Sequence, residues 1–194
     1  MTTELVSTST EPRLIRRKAS PEEFWALPES VLPTEYINGE IITPPTRTVA
    51  HQSILGEILL PLDEFVRQHG GGHVFFAPLD VILPSGEVVQ PDIFFLTTEE
   101  TARAHSAKRV YDVPSFAVEI LSPGSVKHDT IMKRNLYELN GVREYWIVDP
   151  ETKTVSQLTL LEGLYALTEL TKDDTIRSTV LEGFECAIKR FFTM

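Results

Sequence analysis

Only one cysteine, Cys186, occurs in the 194 residues, which rules out an intrachain disulfide and a cysteine-built zinc cluster. Cysteine used so sparingly suits a reducing compartment, and a cytoplasmic location is the expectation. No uncharged apolar run approaches the ~18 residues that span a bilayer, so no membrane partner is expected. The first residues, MTTELVSTST, lack the basic start and apolar stretch of a secretory signal. Internal repeats are missing too, as is any linker that would mark a domain boundary. Positive charge is scarce: 18 Lys and Arg stand against 28 Asp and Glu, a formal net charge of −10. Bulk affinity for nucleic acid comes from neutralising phosphates with Lys and Arg, so this balance argues against such a partner. What is present is ordinary for a globular domain with a real core, 42% hydrophobic and 24% charged residues. The length suits about one domain at ~150 residues each.

Local patterns predict an α/β (α+β) fold. Residues 1–19 read as a flexible N-terminal arm, Thr/Ser-rich and then basic at Arg13, Arg16, Arg17 and Lys18, and residues 20–194 as a single domain. Ser20-Pro21-Glu22-Glu23 is a helix start, with Ser as cap, Pro in the first turn and Glu at the capping-box position. Asn38-Gly39 between Tyr36-Ile37 and Glu40-Ile41-Ile42 is a hairpin signal. From His51 to Gln68, Ile54, Leu55, Ile58, Leu62, Phe65 and Val66 recur at helical spacing, with Pro61 as a kink site. Strands are expected at His73–Ala77, Asp80–Leu83, Val88–Leu96 and Ser115–Leu121. A helix over Asp129–Asn140, with Met132, Leu136 and Leu139 on one face, ends at Gly141. Glu144–Val148, Thr154–Leu160 and Leu164–Glu169 then form an antiparallel meander.

Chemistry is signalled by two carboxylates in apolar strands. Glu119 interrupts Phe116-Ala117-Val118 and Ile120-Leu121, and Asp92 opens Ile93-Phe94-Phe95-Leu96 just after Pro91. A buried carboxylate is costly unless it is paired or binds a metal. If the two strands are neighbours, the like charges need a cation or a shared proton. A divalent ion such as Mg²⁺ suits few carboxylates plus waters and phosphate oxygens. The alternative is a salt bridge from each to a nearby Arg or Lys that fixes the sheet.

Gln90-Pro91-Asp92, then Glu119-Ile120-Leu121-Ser122-Pro123, then Asp129, Lys133 and Tyr137, then Gly141-Val142-Arg143-Glu144-Tyr145-Trp146 together resemble a large bacterial family. It is the family of predicted restriction-endonuclease-like proteins of the PD-(D/E)XK nuclease superfamily, and the resemblance covers roughly residues 20–170. It implies a restriction-endonuclease-like core, a mixed central sheet flanked by helices, and a metal-dependent endonuclease acting on DNA. Asp92, Glu119 and Ile120 would be the metal positions for Mg²⁺ or Mn²⁺. The superfamily pattern places a Lys two residues after the Glu, where this chain has Leu121. Lys133, on the following helix with Asp129 and Tyr137 in one polar stripe, is the substitute, orienting water or stabilising charge. The plainer reading is an Asp129–Lys133 pair on a solvated helix face.

Lesser candidates carry structural alternatives. Glu57 is an extra site carboxylate or a surface residue, and His51 a general base or a helix-start histidine. Glu40 matches a recurrent acidic position of the family, Asp80 caps or pairs at a strand start, and Tyr145-Trp146 is a base-stacking platform or core. A homodimer is expected by analogy. The rival reading is a catalytically inactive nucleic-acid-binding or protein-interaction module on the same fold. Two observations separate them: whether Lys133 points at the carboxylates, and whether Asp92 is paired with an arginine. The bulk charge itself is uneven, since residues 101–143 hold seven Lys and Arg against four acids, and local field matters more than the sum.

Overall fold

Gln90-Pro91-Asp92 divides what the pattern predicts as one strand, Val88–Leu96, into two strands that belong to different sheets. Pro91 has no amide to donate to a ladder, which is why the pairing changes there. The computed structural model describes residues 14–28 and 33–193, so the expectation for residues 1–12, and Arg13, lie outside the described residues.

The described chain runs β1 (Ile15–Lys18), α1 (Pro21–Trp25), β2 (Glu35–Ile37), β3 (Glu40–Thr43), α2 (Val49–His69), β4 (Gly72–Phe76), β5 (Val81–Ile82), β6 (Val88–Val89), β7 (Ile93–Thr97), α3 (Thr98–Ala104) and β8 (Phe116–Ile120). A π-helical segment (His128–Lys133) leads into α4 (Arg134–Asn140), followed by β9 (Glu144–Asp149), β10 (Thr154–Leu161), β11 (Leu164–Thr171), β12 (Thr175–Arg177), β13 (Glu185–Ala187) and a 3-10 turn (Ile188–Phe192). A six-stranded mixed sheet has the order β11-β10-β9-β8-β7-β4, in which β8 and β9 are parallel and the other pairs antiparallel. A smaller antiparallel sheet has the order β1-β3-β2-β6-β5.

Part of the expected arm is therefore a strand. Arg16, Arg17 and Lys18 pair with Ile42, Ile41 and Glu40 of β3, because the β3 edge offers backbone partners while the charged side chains stay exposed. Ser20 caps α1 in the expected box: Ser20 Oγ accepts from Glu23 N at 3.3 Å, and Glu23 Oε2 accepts from Ser20 N at 2.7 Å. Asn38 and Gly39, with φ of 53° and 74°, take the left-handed conformations that join β2 to β3. α2 runs through Pro61. Its buried stripe of Ile54, Leu55, Ile58, Leu62 and Val66 packs on Phe116, Val118 and Ile120 of β8, and that burial offsets the hydrogen bond the proline removes.

Side-chain alternation in β8 sends Phe116, Val118 and Ile120 to the α2 face and Ala117 to the opposite layer, with Ile37, Tyr137 and Tyr145. Glu119 shares the parity of Ala117. The Ile93↔Val118 register then sets Asp92, one residue before Ile93, across from Glu119, one residue after Val118. Tyr145 and Trp146 are fully buried, in the core rather than on a stacking surface. Leu139 is exposed, and the inward stripe of α4 is Leu136 and Tyr137. No helix among the described residues is long and apolar enough to cross a membrane.

Residues beyond β11 complete the α2 face. Ile176, Leu181, Phe184, Ile188 and Phe191 join its core. Glu144 ties them down: its carboxylate accepts from Trp146 Nε1 (2.7 Å), Gln157 Nε2 (2.7 Å), Ser178 Oγ (2.7 Å), and the amides of Thr179 (2.8 Å) and Val180 (3.0 Å).

Candidate active site

Asp92 and Glu119 are each 1% exposed. Asp92 Oδ2 accepts from Ile120 N at 2.8 Å and lies 3.1 Å from His51 Nε2, while Asp92 Oδ1 accepts from Arg47 Nη2 at 2.9 Å. Glu119 Oε1 accepts from Lys133 Nζ at 2.7 Å and from Tyr137 Oη at 3.1 Å. Glu119 Oε2 is buried with no hydrogen-bond partner. Lys133 Nζ also bonds Glu35 Oε1 at 2.7 Å and stands 3.9 Å from Asp129 Oδ1. Glu35 Oε1 also accepts from the amide of Gln90 at 2.9 Å, and its Oε2 lies 2.7 Å from His128 Nε2.

Five stretches of chain build this cluster. The residue before β7 supplies Asp92 and β8 supplies Glu119. The π-helical segment supplies His128, Asp129 and Lys133, all buried, and its wide turn carries Asp129 and Lys133 inward together. Lys133 is therefore not half of a pair on a solvated face. It reaches Glu119 from the helix, and Leu121, in the superfamily's lysine position, is not needed for that contact. β2 and the start of α2 supply Glu35 and His51, with Thr48 Oγ1 accepting from His51 N at 3.2 Å.

Burial and neighbouring charges pull these groups in opposite directions. Burial opposes ionising Glu35, but Lys133 and His128 outweigh it and hold its carboxyl at about 2. Asp92 is likewise kept low against burial by His51, Arg47 and the Ile120 amide. Glu119 goes the other way: burial raises it well above the usual range, Lys133 pulls it back, and Asp92, Asp129 and Glu35 push it further up. Asp129 is raised by burial despite Lys133. Lys133 itself is held firmly protonated, because Glu119, Glu35 and Asp129 more than offset its burial. Four carboxyl groups thus face Lys133 and Arg47, with Glu119 and Asp129 pushed toward their protonated forms.

That surplus bears on a divalent ion. Among the described residues, no group of three or more His, Cys, Asp or Glu is arranged to hold a metal; Mg²⁺ takes one or two carboxylates and keeps its waters. Among the described residues Glu119 Oε2 is a buried carboxyl oxygen without a hydrogen-bond partner, and Asp92 stands across from it in the strand register, so the pair suits a hard cation once Arg47 leaves Asp92 Oδ1. Ile120 can add only its main-chain carbonyl, since its side chain packs in the α2 core.

The remaining candidates lie elsewhere. Glu57 pairs with Arg190 at 3.7 Å on the outer side of α2. Glu40 faces Arg16 at 3.5 Å at the β3 edge. Asp80 accepts from Gln90 Nε2 at 2.7 Å and Arg109 Nε at 3.0 Å and is a structural pairing residue. His51 and Asp129 do join the cluster. Sequence reasoning missed Glu35, Arg47 and His128. Only His128, adjacent to Asp129 at the helix start, gave a local signal; Glu35 and Arg47 read as ordinary hairpin and loop residues.

The family model described as "Uma2: Putative restriction endonuclease" matches residues 21–189. No curated protein matches the chain significantly. Among solved structures, the chain is similar to one described as a "putative nuclease belonging to DUF820" from Anabaena variabilis, with a TM-score of 0.78 at 22% identity over 89% of this chain and 96% of that one. At that identity the likeness speaks to the fold.

Proposed function

The chain belongs to the Uma2 family, "Putative restriction endonuclease", and from that membership we propose that it is a metal-dependent endonuclease hydrolysing DNA phosphodiester bonds. The observation that carries the reading is Glu119: buried, across from Asp92 in the strand register, bonded to Lys133 on one oxygen and, among the described residues, unpartnered on the other. Asp92, Glu119 and the carbonyl of Ile120 would hold Mg²⁺ or Mn²⁺. Such an ion lowers the pKa of a bound water and neutralises charge on the leaving oxygen.

The chain's own residues supply the rest. Lys133 keeps its proton, so it serves as a fixed donor that orients the attacking water and stabilises charge gathering on the phosphoryl oxygens. It is a poor base for the same reason. Glu35 and Tyr137 position it, Glu35 from the far side of the ammonium and Tyr137 by sharing Glu119 Oε1. Asp92 is oriented by the Ile120 amide and His51. One such site per chain cuts one strand, so cleaving both strands of a duplex calls for a homodimer.

The rival, a non-catalytic binding module, draws support from one contact, the Arg47–Asp92 ion pair. Plasmid nicking with Mg²⁺ or Mn²⁺ separates the two readings. Wild type should nick and Glu119→Gln should not. Cleavage that survives the substitution unchanged rejects this site, and no cleavage by either protein with any DNA form favours the binding module.

A further inference from the structure

Arg47 contradicts a simple metal site, because its guanidinium sits on the Asp92 oxygen that a cation would need. Its side chain is 17% exposed, whereas those of Asp92, Glu119, Lys133, His51 and Glu35 are all 4% or less. Arg47 thus stands at the mouth of the cluster and is the group a solute meets first. It feels Asp92, Glu119, Asp129 and Glu35 together, and their charges keep it protonated despite partial burial. It is carried by the segment between β3 and the Thr48 cap of α2, whose Pro44 and Pro45 have no amides to donate and whose Thr46 is exposed.

We propose that Arg47 is a stand-in for the divalent ion: it neutralises Asp92 while the metal is away, yields that oxygen when the metal binds, and then takes a phosphate oxygen of the DNA. This rests on the endonuclease reading above. Arginine suits both partners, because its planar fork matches carboxylate and phosphate alike. The exchange keeps the guanidinium paired with an anion at each stage. Without metal the guanidinium offsets part of the carboxylate surplus, and with metal the freed guanidinium meets a new anion at the same mouth. It also orders binding, metal before DNA.

The test is Mn²⁺ binding to the full chain by calorimetry, free of DNA, for wild type, Arg47→Ala, Arg47→Met and Glu119→Gln. Both Arg47 variants should bind Mn²⁺ about tenfold more tightly than wild type, as expected for removing a competing cation next to the ligand oxygen. With Ca²⁺ in place of Mn²⁺, the same variants should bind a DNA duplex about tenfold more weakly, the loss of one charge-assisted phosphate contact. Circular dichroism establishes that each variant is folded, and the methionine variant keeps the stem's packing should alanine not fold. Unchanged or weaker Mn²⁺ affinity in a folded Arg47 variant overturns the proposal while leaving the metal reading intact. No Mn²⁺ binding by wild type or either Arg47 variant overturns the metal reading itself, and the proposal with it.

Discussion

Replacing Lys133 by Met tests the electrostatic account of the cluster without any assumption about substrate. The ammonium lies 2.7 Å from Glu35, 2.7 Å from Glu119 and 3.9 Å from Asp129. Methionine keeps most of the stem's volume, so packing changes little. What is lost is the partner of two buried carboxylates, and breaking such a pair costs about 3–5 kcal/mol. Glu35 retains His128 and the Gln90 amide, so Glu119, left with Tyr137 alone, carries most of the penalty. The Lys133→Met, Glu119→Gln double variant should then recover about 2 kcal/mol, since contacting residues couple on that scale. Urea unfolding followed by tryptophan fluorescence reads the change, with Trp146 buried as reporter, and the slope with urea should stay constant. The loss should also shrink below neutral pH, because an unpaired buried carboxylate takes a proton rather than remain charged. A penalty under about 1 kcal/mol, or one of equal size in the Glu119→Gln background, would refute the reasoning.

Two further predictions need no variant of the central lysine. In the wild type, Glu35 binds its proton less tightly folded, at about 2, than unfolded, near ~4.3; its stabilisation is present above the unfolded value and is lost as pH falls through the folded one. Glu119 has the opposite sign: its carboxyl is raised on folding, so stability drops as pH climbs from ~4.3 until the folded value is passed. Urea midpoints measured across pH should show the acid loss disappear in Glu35→Gln and the decline on the alkaline side disappear in Glu119→Gln; if each substitution leaves its limb unchanged, the assignment fails. Glu144→Ala should cost about 3 kcal/mol, the scale of losing charge-assisted hydrogen bonds to several buried donors. It should also expose residues 172–193 to limited proteolysis, and a proteolysis pattern matching wild type would count against Glu144 as their anchor.

Asp92 and Glu119 were legible in the sequence because each sets a charge inside an apolar strand, a conflict that local pattern displays. The strand pairing that joins them follows from the same alternation. Lys133 was half legible. Its spacing from Asp129 and Tyr137 was visible, but a surface pair and a buried one share that spacing, and only the packing of this segment on β2 and β8 decides between them. Glu35 and Arg47 left no trace, since one occupies the end of a three-residue strand and the other a loop, where a charged residue is the default. Their roles arise from tertiary placement alone. Pro91 did announce a break, yet the apolar run on either side outweighed it in the expected strand Val88–Leu96. The tail after β11 could not be read, because its strands of three residues and its 3-10 turn are too short to establish a period.

The same contacts recast the problem of the −10. A net negative chain that must grip a polyanion gains nothing from bulk charge, and the site adds to the difficulty, with four carboxyl groups against Lys133 and Arg47. On the proposed reading a divalent ion would cancel this local surplus, and displacement of Arg47 would turn its guanidinium from Asp92 toward the mouth. Affinity for a phosphate chain would then be switched on by the metal rather than supplied by the surface. Under this account the acidic surface is compatible with the function, because it suppresses binding by the metal-free protein and leaves recognition to the few cationic groups that the ion releases.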